Sequence, residues 1–188
     1  MKSLAAYLEQ LASTSPTPGG GSAATIVAAL GASLVAMAAR ITAGNPRYAP
    51  QRGRAHGIAS RADLLRERLL EAGSRDEDAF AAVVAARGDA RQQALIRAAQ
   101  EPLRAMSLAL DVQRLAVEAL DLGNPHLASD AASASEFAAA ALAACAYNVR
   151  INHRAMNDRA VVDDQRNAME AYETESAMLL RQAREKAQ

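Results

Sequence analysis

Residues 23–39 of the chain, AATIVAALGASLVAMAA, form an uncharged run that predicts a buried helix. Apolar residues occupy every side of its helical projection, which is typical of a helix surrounded by its neighbours. The run is rich in Ala and falls short of the roughly 20 strongly apolar residues that a membrane-spanning helix needs. We therefore expect a central core helix that Ser22 caps and that ends near Thr42, ahead of the Gly-Asn-Pro at 44–46.

The composition agrees with a bundle of such helices. The chain has 188 residues, which predicts one domain because single cores commonly contain roughly 100 to 200 residues. Hydrophobic residues make up 51% and aromatic residues only 3%, and Trp is absent, so small and slender side chains must fill the core. Ala and Leu favour helices over strands.

The charge and cysteine content exclude several classes of protein. Lys plus Arg number 21 and Asp plus Glu number 21, so the formal net charge is zero. Without an overall positive field, neither nucleic acid nor an anionic membrane is an expected partner. Cys145 is the one cysteine, which excludes an internal disulfide. The first ten residues, MKSLAAYLEQ, lack the long apolar core of a signal peptide, so we expect a cytoplasmic protein.

Capping residues, prolines and apolar spacing divide the chain into five or six long helices. The predicted segments are residues 3–13, 22–42, 51–87, 90–122, 129–152 and 158–186. Pro102 is expected to kink or divide the fourth helix, and Gly73 weakens the third. Short connections imply an all-α antiparallel bundle. Its smooth Ala-rich faces suit pairing between subunits, so we also expect a homodimer.

Three consecutive glycines, Gly19-Gly20-Gly21, precede Ser22 at the start of the core helix. The unpaired backbone N–H groups of a helix N-terminus can hold an anion. No Lys follows the glycines, as it does in a Walker A loop, and no strand precedes them, as in a dinucleotide-binding fold. A flexible connection that lets two helices cross closely explains the same residues equally well.

An acidic segment of the third helix is a candidate for proton transfer. Asp76 and Phe80 are spaced i, i+4, so they share one face of the helix. A carboxyl partly removed from water holds its proton more tightly and can act as a general acid or base near neutral pH. With Glu77 and Asp78 beside it, the segment also fits a solvated acidic face, which is the commoner fate of such runs.

The fifth helix has polar residues at both ends. Asp130 would lie in its first turn, where the helix dipole favours a carboxylate, and Ser129 fits an ordinary cap. Asn148 and Asn152 lie one turn apart on one face, where two amides could hydrogen-bond a heterocycle. Asp130 and Asn148 are 18 residues apart, about 27 Å along an ideal helix. One straight helix therefore cannot bring both to a compact site.

The remaining reactive residues do not form a recognisable centre. His56, His126 and His153 show no metal-ligand spacing, and no Gly-X-Ser-X-Gly elbow is present. Cys145 lies in an Ala-rich run, where a small core residue is more common than a nucleophile. We therefore expect no metal site.

The motifs SPTPGGGS at 15–22, DEDAF at 76–80, GN at 123–124, SD at 129–130 and AYNVRIN at 146–152 form a series. In order and approximate spacing, this series resembles the formiminotetrahydrofolate cyclodeaminase and methenyltetrahydrofolate cyclohydrolase family. The first motif is specific as a string, and the others are persuasive as a series. The resemblance covers nearly the whole chain.

The resemblance implies an all-helical homodimer that binds a reduced folate as substrate and holds no other cofactor. It implies that Asp76, four residues before the phenylalanine, is the catalytic proton donor. Members either hydrolyse 5,10-methenyltetrahydrofolate to 10-formyltetrahydrofolate or cyclise 5-formiminotetrahydrofolate with release of ammonia. The chain has no room for the formiminotransferase of the bifunctional members, so it is similar to the stand-alone form.

The same resemblance suggests which residues contact the substrate. The expected substrate-binding residues are Pro18, Gly19, Gly20, Gly21, Ser22, Arg47, Asp130, Asn148 and Asn152. Arg47 stands after the core helix, where lysines are usual in the family. Between Phe80 and Pro102 the chain is shorter than usual, and a Lys- and Glu-rich loop is missing. A site at the dimer interface would unite the distant ends of the fifth helix.

Two other functions are consistent with the sequence. One is a relative without catalytic activity that only binds folate or another heterocycle. The other is a helical module whose smooth Ala faces exist for oligomerisation. Substitution of Asp76 by Asn separates the enzyme from both, since it should abolish turnover and leave folding nearly intact.

Overall fold

The computed structural model describes residues 3–188 and contains six α-helices within them. They are α1 (Leu4–Leu11), α2 (Gly20–Gly44), α3 (Arg52–Ala85), α4 (Gly88–Leu120), α5 (Ala128–His153) and α6 (Arg159–Lys186). Short 3₁₀ helices at Pro46–Gln51 and Pro125–Leu127 precede α3 and α5. The all-α bundle is confirmed. Met1 and Lys2, which begin the segment judged not to be a signal peptide, lie outside the described residues.

The long apolar helix α2 packs against α3, α4 and α5. Its length and composition would allow it to cross a membrane, yet 61% of its most apolar window is buried inside the bundle, as in an ordinary core helix. The prediction that α2 is surrounded on every side is wrong for one stripe. Leu30, Met37 and Ile41 are 52%, 37% and 50% exposed, because α3, α4 and α5 leave this face of α2 uncovered.

Glycines allow α2 to approach two of its neighbours closely. A Cβ atom on Gly31 would lie 2.9 Å from the carbonyl oxygen of Ala134 in α5. A Cβ atom on Gly73 in α3 would lie 2.6 Å from Thr25 Oγ1 in α2. Real Cβ atoms do not come this close to other atoms, so both glycines are packing requirements. Gly73 does not interrupt α3, which is continuous through it.

Two predicted helix caps are wrong, and of the two outcomes expected for Pro102 the division of α4 is excluded. Gly19, not Ser22, is the N-cap of α2, because Ser22 lies within the first turn and its hydroxyl bonds elsewhere. Ser129 does not cap α5, whose N-cap is Leu127 without a side-chain cap, because the preceding 3₁₀ helix runs directly into the first turn. Pro102 does not divide α4, which is one helix from Gly88 to Leu120.

The middle of α4 lies in the core, whereas the end of α3 does not. Leu95, Ala99, Met106, Leu110 and Leu115 are all buried. Phe80 and Val84, near the end of α3, have exposed fractions of 42% and 57%. The last turns of α3 extend past the core, and their apolar side chains border a cleft instead.

Candidate active site

The candidate site is a cleft of about 440 Å³ at the end of the bundle where α2 begins. Its walls come from the loop before α2, the second half of α3, the first turns of α4 and the last turns of α5. A larger groove of about 660 Å³ lies between α3, α4 and α6. We assign the site to the smaller cleft because polar groups from four separate segments converge there.

Asp76 is the carboxyl group of this cleft. Asp76 and Phe80 both line it, which confirms that they share one face of α3. Gly21 packs directly on Asp76, since a Cβ atom on Gly21 would lie 2.7 Å from the carboxyl carbon. The backbone N–H of Ser22, in the first turn of α2, favours the charged form of the same carboxyl group. The backbone at Gly21 therefore forms the surface against which the Asp76 carboxyl group packs.

The environment of Asp76 raises its pKa to about 6, from an ordinary value of 3.8. Burial is the largest cause, because it disfavours the charged form. The negative charges of Glu77 and Glu101 act in the same direction, and the N–H of Ser22 opposes them. Asp76 can therefore exchange a proton close to neutral pH, as a general acid or base must.

Glu77 is held by a hydrogen-bonded chain behind the cleft. Ser22 Oγ donates to Glu77 Oε1 at 2.7 Å, and the Tyr7 hydroxyl lies 3.1 Å from Ser22 Oγ. Tyr7 belongs to α1, so the first helix of the described chain contributes to the surroundings of Asp76. The sequence analysis missed this contribution, since Tyr7 and Glu77 are 70 residues apart in the chain.

Asn148 and Asn152 line the opposite wall of the cleft. Asn148 Nδ2 donates to the carbonyl of Ala144 at 3.0 Å, and Asn152 Nδ2 donates to the carbonyls of Asn148 at 2.9 Å and Ala98 at 3.0 Å. Carbonyl oxygens only accept, so these contacts identify the nitrogen of each amide. The two Oδ1 atoms are the acceptors that remain for a ligand.

Pro102 supplies the partner that orients Asn152. Ala98 precedes Pro102 by four residues, so its carbonyl would normally accept the N–H of residue 102. Proline has no N–H, and Asn152 Nδ2 takes that place at 3.0 Å. This bond satisfies the carbonyl that Pro102 leaves unpaired, so α4 continues through the proline. It also links Pro102 in α4 to the position of Asn152 in α5.

The other predicted site residues lie outside the cleft lining. Pro18 and Ser22 border a neighbouring hollow beside α1, and the Ser22 hydroxyl is occupied by Glu77. Arg47 and Asp130 lie at the other end of the bundle, beyond the end of α2 and at the start of α5. Within one chain, the structure brings together Asp76, the three glycines and the two asparagines, and Ser22 lies directly behind them through its bond to Glu77. Pro18, Arg47 and Asp130 are not part of this group.

The cleft also contains residues that the sequence pattern did not assign to a site. Leu95 and Ile151 form apolar walls together with the expected Phe80, and Arg91 is the one basic residue in the lining of this part of the described chain. The sequence offered weak signals for them. Ile151 lies between two selected asparagines, but Arg91 is one of many arginines on amphipathic helices, and nothing in the pattern distinguishes it.

Cys145 and His153 do not contribute a nucleophile or a base to the cleft lining. Burial, followed by the negative charge of Asp76, raises the pKa of Cys145 to about 12. The thiol therefore stays protonated, which agrees with its prediction as a core residue. His153 is buried and hydrogen-bonded to Gln165 Oε1 at 2.9 Å. Within residues 3–188, no three His, Cys, Asp or Glu side chains are grouped as a metal site requires.

A helical bundle with a proton-exchanging carboxyl, paired amides and an apolar slot defines a class of protein, an acid–base enzyme for a flat, polar heterocycle. The model of the formiminotransferase-cyclodeaminase family matches residues 3–171. The chain belongs to this family, which confirms the resemblance, and it is an enzyme of folate one-carbon metabolism.

Two relatives show the extent of the likeness. A methenyltetrahydrofolate cyclohydrolase of Methylorubrum extorquens is 33% identical over 186 residues, which cover 92% of this chain and 89% of that protein. The crystal structure of formiminotetrahydrofolate cyclodeaminase from Thermotoga maritima matches with a TM-score of 0.95 at 24% identity. That match covers 99% of this chain and 96% of the other, and it shows that the two share one fold.

Proposed function

We propose that this enzyme hydrolyses 5,10-methenyltetrahydrofolate to 10-formyltetrahydrofolate, with Asp76 as its catalytic residue. The observation that supports this most strongly is the half-buried Asp76, with its pKa near 6, among the glycine amides and two asparagines. The similarity to a protein named methenyltetrahydrofolate cyclohydrolase favours hydrolysis over deamination.

The chemistry needs one proton-transfer group. The methenyl bridge of the substrate is a cationic amidinium, so its carbon is already electrophilic. The Asp76 carboxylate accepts a proton as water adds to that carbon, which gives a neutral carbinolamine. The bond from the carbon to N5 then breaks, N5 takes the proton from Asp76, and the hydroxyl proton leaves to solvent as the formyl C=O forms. One proton is released in each turnover.

The cleft can orient the substrate for this reaction. The Oδ1 atoms of Asn148 and Asn152 accept from the N–H groups of a reduced pterin, while Phe80 and Leu95 pack against the aminobenzoyl ring that follows it. The carboxylate of Asp76 stabilises the cationic bridge before water adds. Gly20 allows the substrate to approach the backbone, because a Cβ atom there would meet only Asn148 Nδ2, at 3.8 Å.

The proposal is tested by the loss of 5,10-methenyltetrahydrofolate absorbance with purified protein, against a buffer blank. Wild-type protein should accelerate the loss, and Asp76→Asn should not. Asp78→Asn is the matched control, because Asp78 is an exposed acid two residues further along α3 and does not line the cleft. It should keep wild-type activity. Wild-type protein without activity on this substrate would overturn the cyclohydrolase assignment.

The second candidate reaction is the cyclisation of 5-formiminotetrahydrofolate. The fold match to the Thermotoga cyclodeaminase favours it, and the same Asp76 would protonate the departing ammonia. An assay of ammonia release from 5-formiminotetrahydrofolate distinguishes the two. If neither substrate reacts, the alternatives are an inactive folate-binding relative and a helical oligomerisation module.

We further propose that the protein is a homodimer joined through the exposed stripes of α2 and α5. The stripe of α2 consists of Leu30, Met37 and Ile41, and that of α5 consists of Phe137, Tyr147 and Ile151. α2 and α5 pack side by side, and each of them carries its own exposed apolar stripe. Large contiguous apolar faces are characteristic of interfaces between proteins. A two-fold axis pairs one such face with its copy.

This dimer would complete the site with residues from a second chain. A two-fold axis perpendicular to α2 and α5 makes the paired helices antiparallel, so the Asp130 end of one copy meets the Asn148 end of the other. Asp130 and Arg47 would then join Asp76, Asn148 and Asn152 without a bend in α5.

The remaining assignments follow from the same proposal. A reduced folate is the small-molecule partner, and the substrate itself is the only folate cofactor we assign. The neutral net charge gives no general attraction to nucleic acid or to an anionic membrane. We assign the enzyme to the cytoplasm.

A further inference from the structure

The cleft has a second end, where α3 and α4 are joined. The two helices run antiparallel, and the ion pair between Arg75 Nε and Glu101 at 3.2 Å establishes their register. Asp76 and Ala98 both line the cleft, and the next turns of both helices lead toward the connection at residues 86–87. The cleft follows these turns away from the proposed site of chemistry.

The character of the lining changes along this path. Asp76 and Asn152 make the first level polar, since Asn152 is bonded to the Ala98 carbonyl. One turn further, Phe80 from α3 and Leu95 from α4 make the second level apolar. Arg91, another turn along α4, lies at the third level. It is seven residues before Ala98, about 10 Å along the helix.

The guanidinium of Arg91 has no hydrogen-bond or ion-pair partner within residues 3–188. The neighbouring Arg87 donates from Nη1 to the carbonyls of Val84 and Ala86, both at 2.8 Å, so it is committed to the backbone. No side chain caps α4, and the first-turn amides add positive potential near Arg91. Asp89 is the one acid in that turn and offsets part of this potential.

Resting on the proposed function, we propose that Arg91 binds a carboxylate of the glutamate tail of the reduced folate. Folates carry a polar pterin, an apolar aminobenzoyl group and an anionic glutamate in that order. The cleft presents a polar level, an apolar level and a cation in the same order. An arginine fork is suited to a carboxylate, with which it makes two parallel charged hydrogen bonds.

The test compares two probes by titration calorimetry, tetrahydrofolate and 6-methyltetrahydropterin, which lacks the aminobenzoylglutamate. Arg91→Ala should weaken the binding of tetrahydrofolate about tenfold and leave that of the pterin unchanged, because only the former has a carboxylate. Arg91→Glu should weaken it further, and Arg91→Lys should restore part of it. Arg97→Ala is the matched control, as Arg97 is an exposed arginine of α4 outside the cleft lining.

The dependence of tetrahydrofolate binding on salt concentration supplies a second test. The affinity of the wild type for tetrahydrofolate should fall with ionic strength, and this dependence should shrink in Arg91→Ala. Unchanged tetrahydrofolate binding in Arg91→Ala, or equal losses for both probes, would overturn the inference. Wild-type protein that binds neither probe would overturn the proposed function itself, so the two failures are distinguishable.

Discussion

Gly21 of α2 and Asp76 of α3 pack so closely that no side chain fits between them, since a Cβ atom on Gly21 would lie 2.7 Å from the Asp76 carboxyl carbon. We predict that Gly21→Ala displaces the carboxyl group and lowers kcat on 5,10-methenyltetrahydrofolate about a hundredfold, since small misplacements of a catalytic group are costly. Gly57→Ala is the control. Gly57 is an α3 glycine with open space around it. Equal activities of the two variants would contradict the prediction.

The pH dependence of kcat/KM should report the pKa of Asp76. If its carboxylate accepts the proton of water, kcat/KM rises as pH increases through about 6 and then levels off. Glu77→Gln removes a neighbouring negative charge, so the pKa of Asp76 should fall and the rising limb should move to lower pH. The Gln side chain can still accept from Ser22. Asp78→Asn should leave the profile in place, and an identical shift in both variants would argue against a specific role of Glu77.

The raised pKa of Asp76 also affects stability. A carboxyl whose pKa is higher in the folded state binds more protons there, so the free energy of unfolding falls as pH rises from about 4 to about 6. Asp76→Asn removes this cost. We expect it to stabilise the protein at pH 7.5 by up to about 2 kcal/mol, after allowance for solvent screening, and to raise the Tm by several degrees.

Thermal unfolding at two pH values checks this linkage. At pH 3.5 Asp76 is protonated in the folded state and mostly protonated in the unfolded state, so the variant and the wild type should have nearly the same Tm. If Asp76→Asn is less stable than the wild type at neutral pH, favourable contacts of the charged carboxylate outweigh the cost of its burial. That result would contradict the assignment of the raised pKa to burial.

Pro102 and Asn152 should act as a coupled pair. Pro102→Ala supplies an N–H that competes with Asn152 Nδ2 for the carbonyl of Ala98, so we expect KM to rise about tenfold while the helix is retained. Asn152→Ala should raise KM as well. A double-mutant cycle measures the coupling, and the double variant should be no worse than Asn152→Ala alone. Strict additivity would show that the two residues act independently.

The dimer proposal predicts complementation between inactive variants. Asp76→Asn and Asp130→Ala should each be inactive, but a refolded mixture should recover about a quarter of the wild-type activity, since half of the dimers contain one intact site. Met37→Glu places a charge on the exposed stripe of α2 and should produce monomers in sedimentation velocity. A monomeric, fully active wild type would refute the shared site.

Local sequence patterns were sufficient to predict much of the fold and part of the cleft lining. The apolar run of α2 predicted a core helix because its hydrophobicity is contained in consecutive residues. Asp76 and Phe80 were placed on one face because helical spacing depends only on sequence distance. The same rule could not show that the stripe of α2 with Met37 is open, because exposure depends on which neighbours a helix receives.

The sequence by itself determined the helices, the acid at Asp76 and the family to which the chain belongs. The tertiary structure alone decided which residues share the cleft. It brought Glu77 to Ser22 and Tyr7, placed Arg91 at the end of an apolar slot, and separated Arg47 and Asp130 from Asp76 within one chain. These relationships join residues of different helices. They are established by helix packing, with its many small apolar contacts, and not by spacing along the sequence.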